Sequence, residues 1–426
     1  MRELHAAGVV RVVPCPDAVA IIQDKFAQKE FFASAHVPLA PFRRLSDEAS
    51  VAAAAAKFGF PLMLKARRFA YDGRGNAVAR SAAELPAALA ALGGLQGGDA
   101  LYAEQWAPFV RELAVMVARS LDGAVVAYPV VETVQRDSIC HTVVVPADLP
   151  TAVAAAASAV ASAAVRALPG AGIFGVELFE LADGSILLKE VAPRPHNSGH
   201  YTIEACATSQ YEQLLRAALG WPLGDASLVV GAAVMQNILG EASGPLAEAA
   251  AHRIMGAALA TPGAAVHWYG KEPKPSRKCG HVTVVAPDRS TATARLAAIN
   301  AAAAAGDAAA AAGQDAASAL EVTATAVAVQ AVSLCFMCLI SQLCRSLPAA
   351  CATALRTAAL FACAVLCRVR GLQWASSWAP TRIFQSWLRP PPCWRTSEWL
   401  ARSPLCRRTA RRTAWLSMLG EQQREA

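Results

Sequence analysis

From Ala20 to Leu45 the chain reads AIIQDKFAQKEFFASAHVPLAPFRRL, with apolar positions at helical spacing, and this predicts one amphipathic helix ending near Pro38. The period then changes. In FGFPLMLKARRFAYDGRGNAVAR a short apolar run closes at Lys65, a polar segment with two glycines follows from Tyr71 to Asn76, and apolar residues resume. ALYAEQW reads as a strand ending in Glu104. VRELAVMVARSLDGAVVAYPVVE alternates like two antiparallel strands about Leu121-Asp122-Gly123, with Glu112 among apolar neighbours on the first. FGVELFELADGSILLKEV is a further hairpin, and Asp183-Gly184 is its predicted two-residue loop. With that loop, Glu177 faces Glu190. The second strand runs into ILLKEVAPRPHNSGHYT, where Arg194, His196, Asn197, Ser198 and His200 fall within seven residues.

These patterns carry chemistry. A glycine-containing loop lets backbone N–H groups approach phosphate oxygens, and a lysine at a strand end can hold the same phosphates, although a glycine-rich hairpin turn is the plainer reading. Glu112 is either a solvated strand carboxylate or an acceptor for ribose hydroxyls. Two directly opposed carboxylates destabilise a sheet, so Glu177 and Glu190 either both reach water or share a cation. Their strands are strongly apolar, which favours the cation, and oxygen-only ligands point to magnesium. The segment from Arg194 to His200 could be a surface turn. Its density of donors suits an oxyanion or a phosphorylated sugar better.

At 426 residues the chain has room for two or three domains, and its net charge of +7 is unevenly spread. From Val332 onward there are thirteen Arg and three Glu, no Lys or Asp, eight of the twelve Cys and six of the nine Trp. Cys15, Cys140, Cys206 and Cys279 are widely spaced without a metal pattern, which suits a reducing compartment. The first residues lack a signal-peptide pattern. Val322 to Leu343 carries no charge over 22 residues, long enough for a bilayer, but its Thr, Ser and Gln content argues against a span. The alanine-biased run from Asn300 reads as a helix end entering a linker.

The order of a strand lysine, a glycine loop, a nucleotide-edge strand, a carboxylate pair and a polar anion loop resembles the ATP-grasp enzymes. YDGRGN, APRPHNSGHYTIEACATSQYEQLLRA and HWYGKEPKPSRKCGHV are similar to the carboxyaminoimidazole ribonucleotide synthetases, in the wording of the fungal and plant bifunctional phosphoribosylaminoimidazole carboxylases. The resemblance covers about Glu3 to Ile299. It implies an α+β ATP-grasp fold over 24–222, a small β-rich C-terminal domain over 223–299, and a remnant of a preceding domain over 1–23 whose absent sheet would leave apolar surface exposed. An Ala-rich linker over 300–331 and a tail over 332–426 without a native fold would follow.

The implied reaction is purine-synthetic carboxylation of aminoimidazole ribonucleotide with ATP, Mg2+ and bicarbonate, through carboxyphosphate. Lys25, Lys65, the loop Ala70, Tyr71, Asp72, Gly73, Arg74, Gly75 and Asn76, the hinge Glu104, Gln105, Trp106 and Ala107, and Glu112 and Lys189 would hold ATP. Glu177 and Glu190 would bind magnesium. Arg194, His196 and Lys271 would be catalytic, and Tyr71, Asp72, Arg74, Asn197, Ser198, Lys271, Arg277 and Lys278 would receive the ribonucleotide. Lys189 stands where the family usually has Asn. Partners would be small molecules, with no nucleic acid or membrane and a homodimer left open. The implied compartment is the cytoplasm, with the plastid as the alternative.

The tail reads as a carboxylase domain translated in the wrong frame. Starting each codon at the third base of the old one, QWASSWAPTRIFQSW from Gln373 permits V-G-I-I-M-G-S-D-S-D-L-P-V-M, and LCRRTARR from Leu405 permits V-S-A-H-R-T-P. The resemblance implies these two strings at the same 32-residue spacing that separates Gln373 from Leu405. Such a segment has no selected core pattern and is expected to be disordered or collapsed without a unique fold.

Overall fold

The computed structural model describes residues 2–69, 75–95, 100–240 and 245–311, all within the unit Met1–Ser333. The tail over 332–426, the linker beyond 311, the uncharged stretch Val322 to Leu343, and Ala70, Tyr71, Asp72, Gly73 and Arg74 lie outside the described residues.

The first apolar period resolves into two helices rather than one. After α1 (Arg2–Ala6), α2 (Pro16–Gln23) ends at Asp24, whose backbone is extended (φ −105°, ψ 105°), and α3 (Lys25–Ser34) begins beyond it. The Asp24 carboxylate accepts from the N–H groups of Phe26 and Ala27, satisfying donors that a helix start leaves open. The break lets α3 take a direction of its own. Ala18 and Ile22 of α2 are buried, whereas Leu4 and Val9 stand exposed as apolar surface.

The chain then builds β1 (Phe42–Leu45), α4 (Glu48–Phe58), β2 (Leu62–Ala66), β3 (Asn76–Ala79), α5 (Leu85–Ala91) and β4 (Leu101–Gln105), which pair as a four-stranded sheet in the order β1-β4-β2-β3. Leu62 and Leu64 point to one face, where they are fully buried with Leu45, Leu101, Val51 and Ala54. Strand alternation sends Lys65 and Glu104 to the other face.

A second sheet comprises β5 (Phe109–Arg119), β6 (Val125–Ala127), β7 (Val131–Arg136), β8 (Ile139–Val145), β9 (Gly172–Leu181) and β10 (Ile186–Ala192), with α6 (Thr151–Ala167) across one face. The partner of β5 is divided at Tyr128-Pro129-Val130: β6 pairs with Val117 to Arg119 and β7 with Glu112 to Ala114. Leu113, Val115, Val117, Phe174, Val176, Leu178, Ile186, Leu188 and Val191 form the core beneath α6. Each such side chain contributes roughly 1.5–3 kcal/mol when fully buried. The opposite face carries Glu112, Glu177 and the loop after β10.

After α7 (Thr202–Ala205) and α8 (Gln210–Leu219) come β11 (Ala232–Leu239), α9 (Pro245–Leu259), β12 (Ala264–Trp268), β13 (Lys278–Ala286) and α10 (Arg289–Ala311). These C-terminal strands continue the second sheet instead of forming one of their own. β11 pairs with β8 from Ala233↔Val145 to Gln236↔Thr142, giving nine strands in the order β10-β9-β5-β7-β8-β11-β13-β12 with β6 on β5. The helix α10 carries the alanine run to Ala311, into the stretch read as linker. Among the described residues no helix is long and apolar enough to cross a membrane.

Candidate active site

Lys25, Gln28 and Lys29 lie three and four residues apart on α3 and therefore share one side of it. Gln28 accepts from the Val191 N–H at 2.9 Å and donates to the Val191 carbonyl, closing the outer edge of β10. Lys29 reaches across to β4, where its ammonium lies 3.0 Å from Glu104, and Lys65 holds the other Glu104 oxygen at 2.7 Å. Burial alone would raise the Glu104 carboxyl. Lys29 and Lys65 outweigh it and hold the group down to about 2.

The facing carboxylates arise from two departures that cancel. The hairpin loop has three residues, Ala182-Asp183-Gly184, because Leu181 and Ser185 pair (Leu181 N to Ser185 O, 2.9 Å), with Gly184 at φ +80°. That shifts the register by one, to Leu188↔Leu178, and a bulge at Lys189 shifts it back to Glu190↔Glu177. The bulge also explains why Leu188 and Val191, three apart, both enter the core.

Lys189 is consequently placed beside Glu177, with its ammonium 2.8 Å from Glu112 and 3.0 Å from Glu177. Burial would lower its pKa, but Glu177 and Glu112 raise it well above the usual lysine range. Lys25 closes the other end, 2.5 Å from Glu190. Burial pushes the Glu190 carboxyl up, and Lys25 and Lys189 bring it down to about 2.

The loop after β10 divides its side chains between two tasks. His196 Nδ1 accepts from the Ser198 N–H, which leaves Nε2 to carry the proton in the neutral ring, 3.4 Å from Glu177. Burial lowers this imidazole's pKa against the pull of Glu177. Gly175 permits the approach, since a Cβ there would come within 2.5 Å of His196 Cβ. Arg194 is exposed and donates to the Pro195 carbonyl. Asn197 instead exchanges amide hydrogen bonds with Asn237 of β11, at 2.8 and 2.7 Å, and Ser198 is buried.

The C-terminal segment contributes further cations. Lys271 lies over the Tyr269 ring at 5.2 Å, Arg277 donates to the Glu272 carbonyl, and Lys278 acts electrostatically on both His196 and His200. His200 stacks on His281 (4.5 Å, 10°), which stacks on His267 (4.4 Å, 13°), and His267 pairs with Glu204 at 2.6 Å.

The structure thus brings Lys25, Glu190, Glu177, Lys189, Glu112 and His196 together through ion pairs and the β9–β10 pairing, and Lys65, held on Glu104, acts on Glu190 through space. In the hinge Glu104–Ala107, Glu104 is consumed by two lysines, while Gln105 and Trp106 are exposed. Gly75 (φ +78°) and Asn76 follow β2 at the edge of the undescribed loop. Sequence reasoning missed Lys29, Asn237 and the histidine stack. The four-residue interval from Lys25 to Lys29 was the available signal for the first; nothing local marks Asn237.

No group of three or more His, Cys, Asp or Glu side chains converges as a metal cluster among the described residues. Glu177 and Glu190 nonetheless offer oxygen-only donors on facing positions, a set that fits magnesium when phosphate oxygens complete its shell.

The sequence pattern of the ATP-grasp domain matches residues 30–211, and that of the phosphoribosylaminoimidazole carboxylase C-terminal domain matches 233–295. Fold and site together define an ATP-grasp protein. The chain is 48% identical over 298 residues to the chloroplastic phosphoribosylaminoimidazole carboxylase of Vigna aconitifolia, covering 70% of this chain and 52% of that protein. It is 41% identical over 285 residues to the N5-carboxyaminoimidazole ribonucleotide synthase of Synechococcus elongatus, covering 67% and 70%. The Aspergillus clavatus N5-carboxyaminoimidazole synthase in complex with ADP and 5-aminoimidazole ribonucleotide superposes with a TM-score of 0.64 at 40% identity, covering 71% and 77%. The chain belongs to the N5-carboxyaminoimidazole ribonucleotide synthase family. It spans about half the length of the curated carboxylases it matches, 54%, 52% and 50% of three of them.

Proposed function

We propose that this chain carboxylates 5-aminoimidazole ribonucleotide at the expense of ATP and bicarbonate, a step of purine synthesis. The observation that carries the reading is the grouping of the Glu177–Glu190 pair with Lys25, Lys65 and His196, in a chain of this family. A bicarbonate oxygen attacks the γ-phosphorus, ADP leaves, and carboxyphosphate breaks down to carbon dioxide and phosphate. The amine of the ribonucleotide then takes the carbon and gives up a proton.

Lys25 and Lys65 hold the triphosphate as fixed positive charges, and Lys29, through Glu104, keeps Lys65 in place. Glu177 and Glu190 would hold magnesium, which when bound offsets phosphate charge. His196 presents an Nε2 proton, and Arg194 a guanidinium, to the carboxylating anion. Tyr71, Asp72, Arg74, Lys271, Arg277 and Lys278 receive the ribonucleotide, with the ring of Asn197 and Asn237 fixing the loop between. Partners are these small molecules, without nucleic acid or membrane, and a homodimer is compatible with the reading. The compartment is the cytoplasm or, as in the name of the Vigna relative, the plastid.

The purified chain should release phosphate only when ribonucleotide and bicarbonate are both present, and carbon from labelled bicarbonate should enter the product. Nucleotide binding without turnover would instead identify an inert fragment that retains the ATP-grasp site.

A further inference from the structure

We propose that Lys189 is a resident cation of the nucleotide site, holding the position from which a second divalent ion would bridge Glu112 and Glu177 to the triphosphate, so that the loaded site takes one divalent ion and not two. The proposal rests on the nucleotide reading given above and concerns how the charge of that site is balanced.

Glu112, Glu177 and Glu190 lie on one face of the second sheet. Three carboxylates beside a triphosphate would call for more than one divalent ion if nothing else neutralised them. Lys189 already spans two of the three, at 2.8 Å from Glu112 and 3.0 Å from Glu177. Its ammonium also lies 5.6 Å from the centre of the Phe179 ring, on the electron-rich face that favours a cation.

Backbone geometry keeps it there. The bulge inserts Lys189 between Leu188 and Glu190, both of which remain in register with β9, so the lysine does not compete with Glu190 for the position opposite Glu177. A lysine on an unbulged strand would have had to displace that carboxylate. With Lys25 on Glu190 and Lys189 on Glu112 and Glu177, one divalent ion at the Glu177–Glu190 pair completes the neutralisation. A second at Glu112 would have to sit against a fixed ammonium.

The test counts bound manganese per chain, by electron paramagnetic resonance of the free ion, at saturation with a non-hydrolysable ATP analogue. Wild type should bind one ion, Lys189→Met two, and Lys189→Arg, which keeps the charge, one. Two ions in wild type or in Lys189→Arg overturn the proposal, as does one ion in a folded Lys189→Met. If the methionine variant does not fold, Lys189→Gln takes its place, with two ions expected and one overturning the proposal. Analogue binding is measured separately by fluorescence: if wild type binds none, the nucleotide reading itself fails, whereas binding with an ion count of two removes only the role of Lys189.

Discussion

Glu104→Gln tests the claim that a buried carboxylate clamps the two parts of the site together. Glu104 is 4% exposed and is held by Lys29 and Lys65, with its pKa lowered from 4.5 to about 2. A shift of that size corresponds to about 3 kcal/mol of folded-state stabilisation. The variant keeps a hydrogen-bond acceptor but leaves two ammonium groups without a countercharge. The natural readout is amide hydrogen exchange in β2 and β4, whose backbone pairs flank the clamp. At pH 7 exchange there should accelerate on the order of a hundredfold or more. Because the folded pKa is depressed, the contribution is complete above the unfolded value of 4.5 and fades as pH falls toward about 2. The gap between variant and wild type should therefore narrow with acidification below pH 4.5. Equal exchange at pH 7, or a gap that does not depend on pH across that interval, would refute the reasoning.

Glu190→Gln should abolish metal-dependent ATP binding and leave the fold intact, as titration calorimetry and circular dichroism would show; unchanged nucleotide affinity removes the magnesium assignment. His196→Ala should suppress carboxylation far more than ATP binding, and parallel loss of both would make the residue structural. Gly175→Ala places a Cβ 2.5 Å from His196 Cβ, so kcat should fall while nucleotide affinity holds, and a wild-type kcat would dismiss that contact as a constraint. Sequencing the transcript through the tail should reveal the two carboxylase strings in the shifted frame; their absence, or repeated stops, leaves the tail a genuine polypeptide.

The facing of Glu177 and Glu190 is legible in the sequence, but by a route the structure corrects. Reading Asp183-Gly184 as the whole loop omits one loop residue, and reading β10 as regular omits one bulged residue, so the two slips cancel from this pair to the end of β10. The trace of the bulge was present: Ile186 and Leu188 alternate, and Val191 falls out of phase. His196 could be named because a family string runs through it, Lys65, Glu177 and Glu190 because of the places their apolar strands give them, and Lys25 through the resemblance. Asn237 could not, since its partner Asn197 lies 40 residues away and only the tertiary fold brings them together, while Lys29, 75 residues from Glu104, is marked locally only by its four-residue interval from Lys25. The single helix expected from Ala20 fails for a similar reason. Apolar period does not register a capping aspartate that Arg67 and Arg68 anchor from another element.

The β8–β11 ladder makes the sequence boundary near residue 223 a poor place to cut. A shortened ATP-grasp fragment ending there would strip the partner from Thr142, Val143, Val144 and Val145. Four consecutive β-branched residues with bare backbone donors and acceptors invite pairing with the same edge of another molecule. Such a fragment should come out of expression as aggregate even though every nucleotide-site side chain is retained. What the motif map treats as a junction between modules is, for handling the protein, a protective selvage woven into the second sheet.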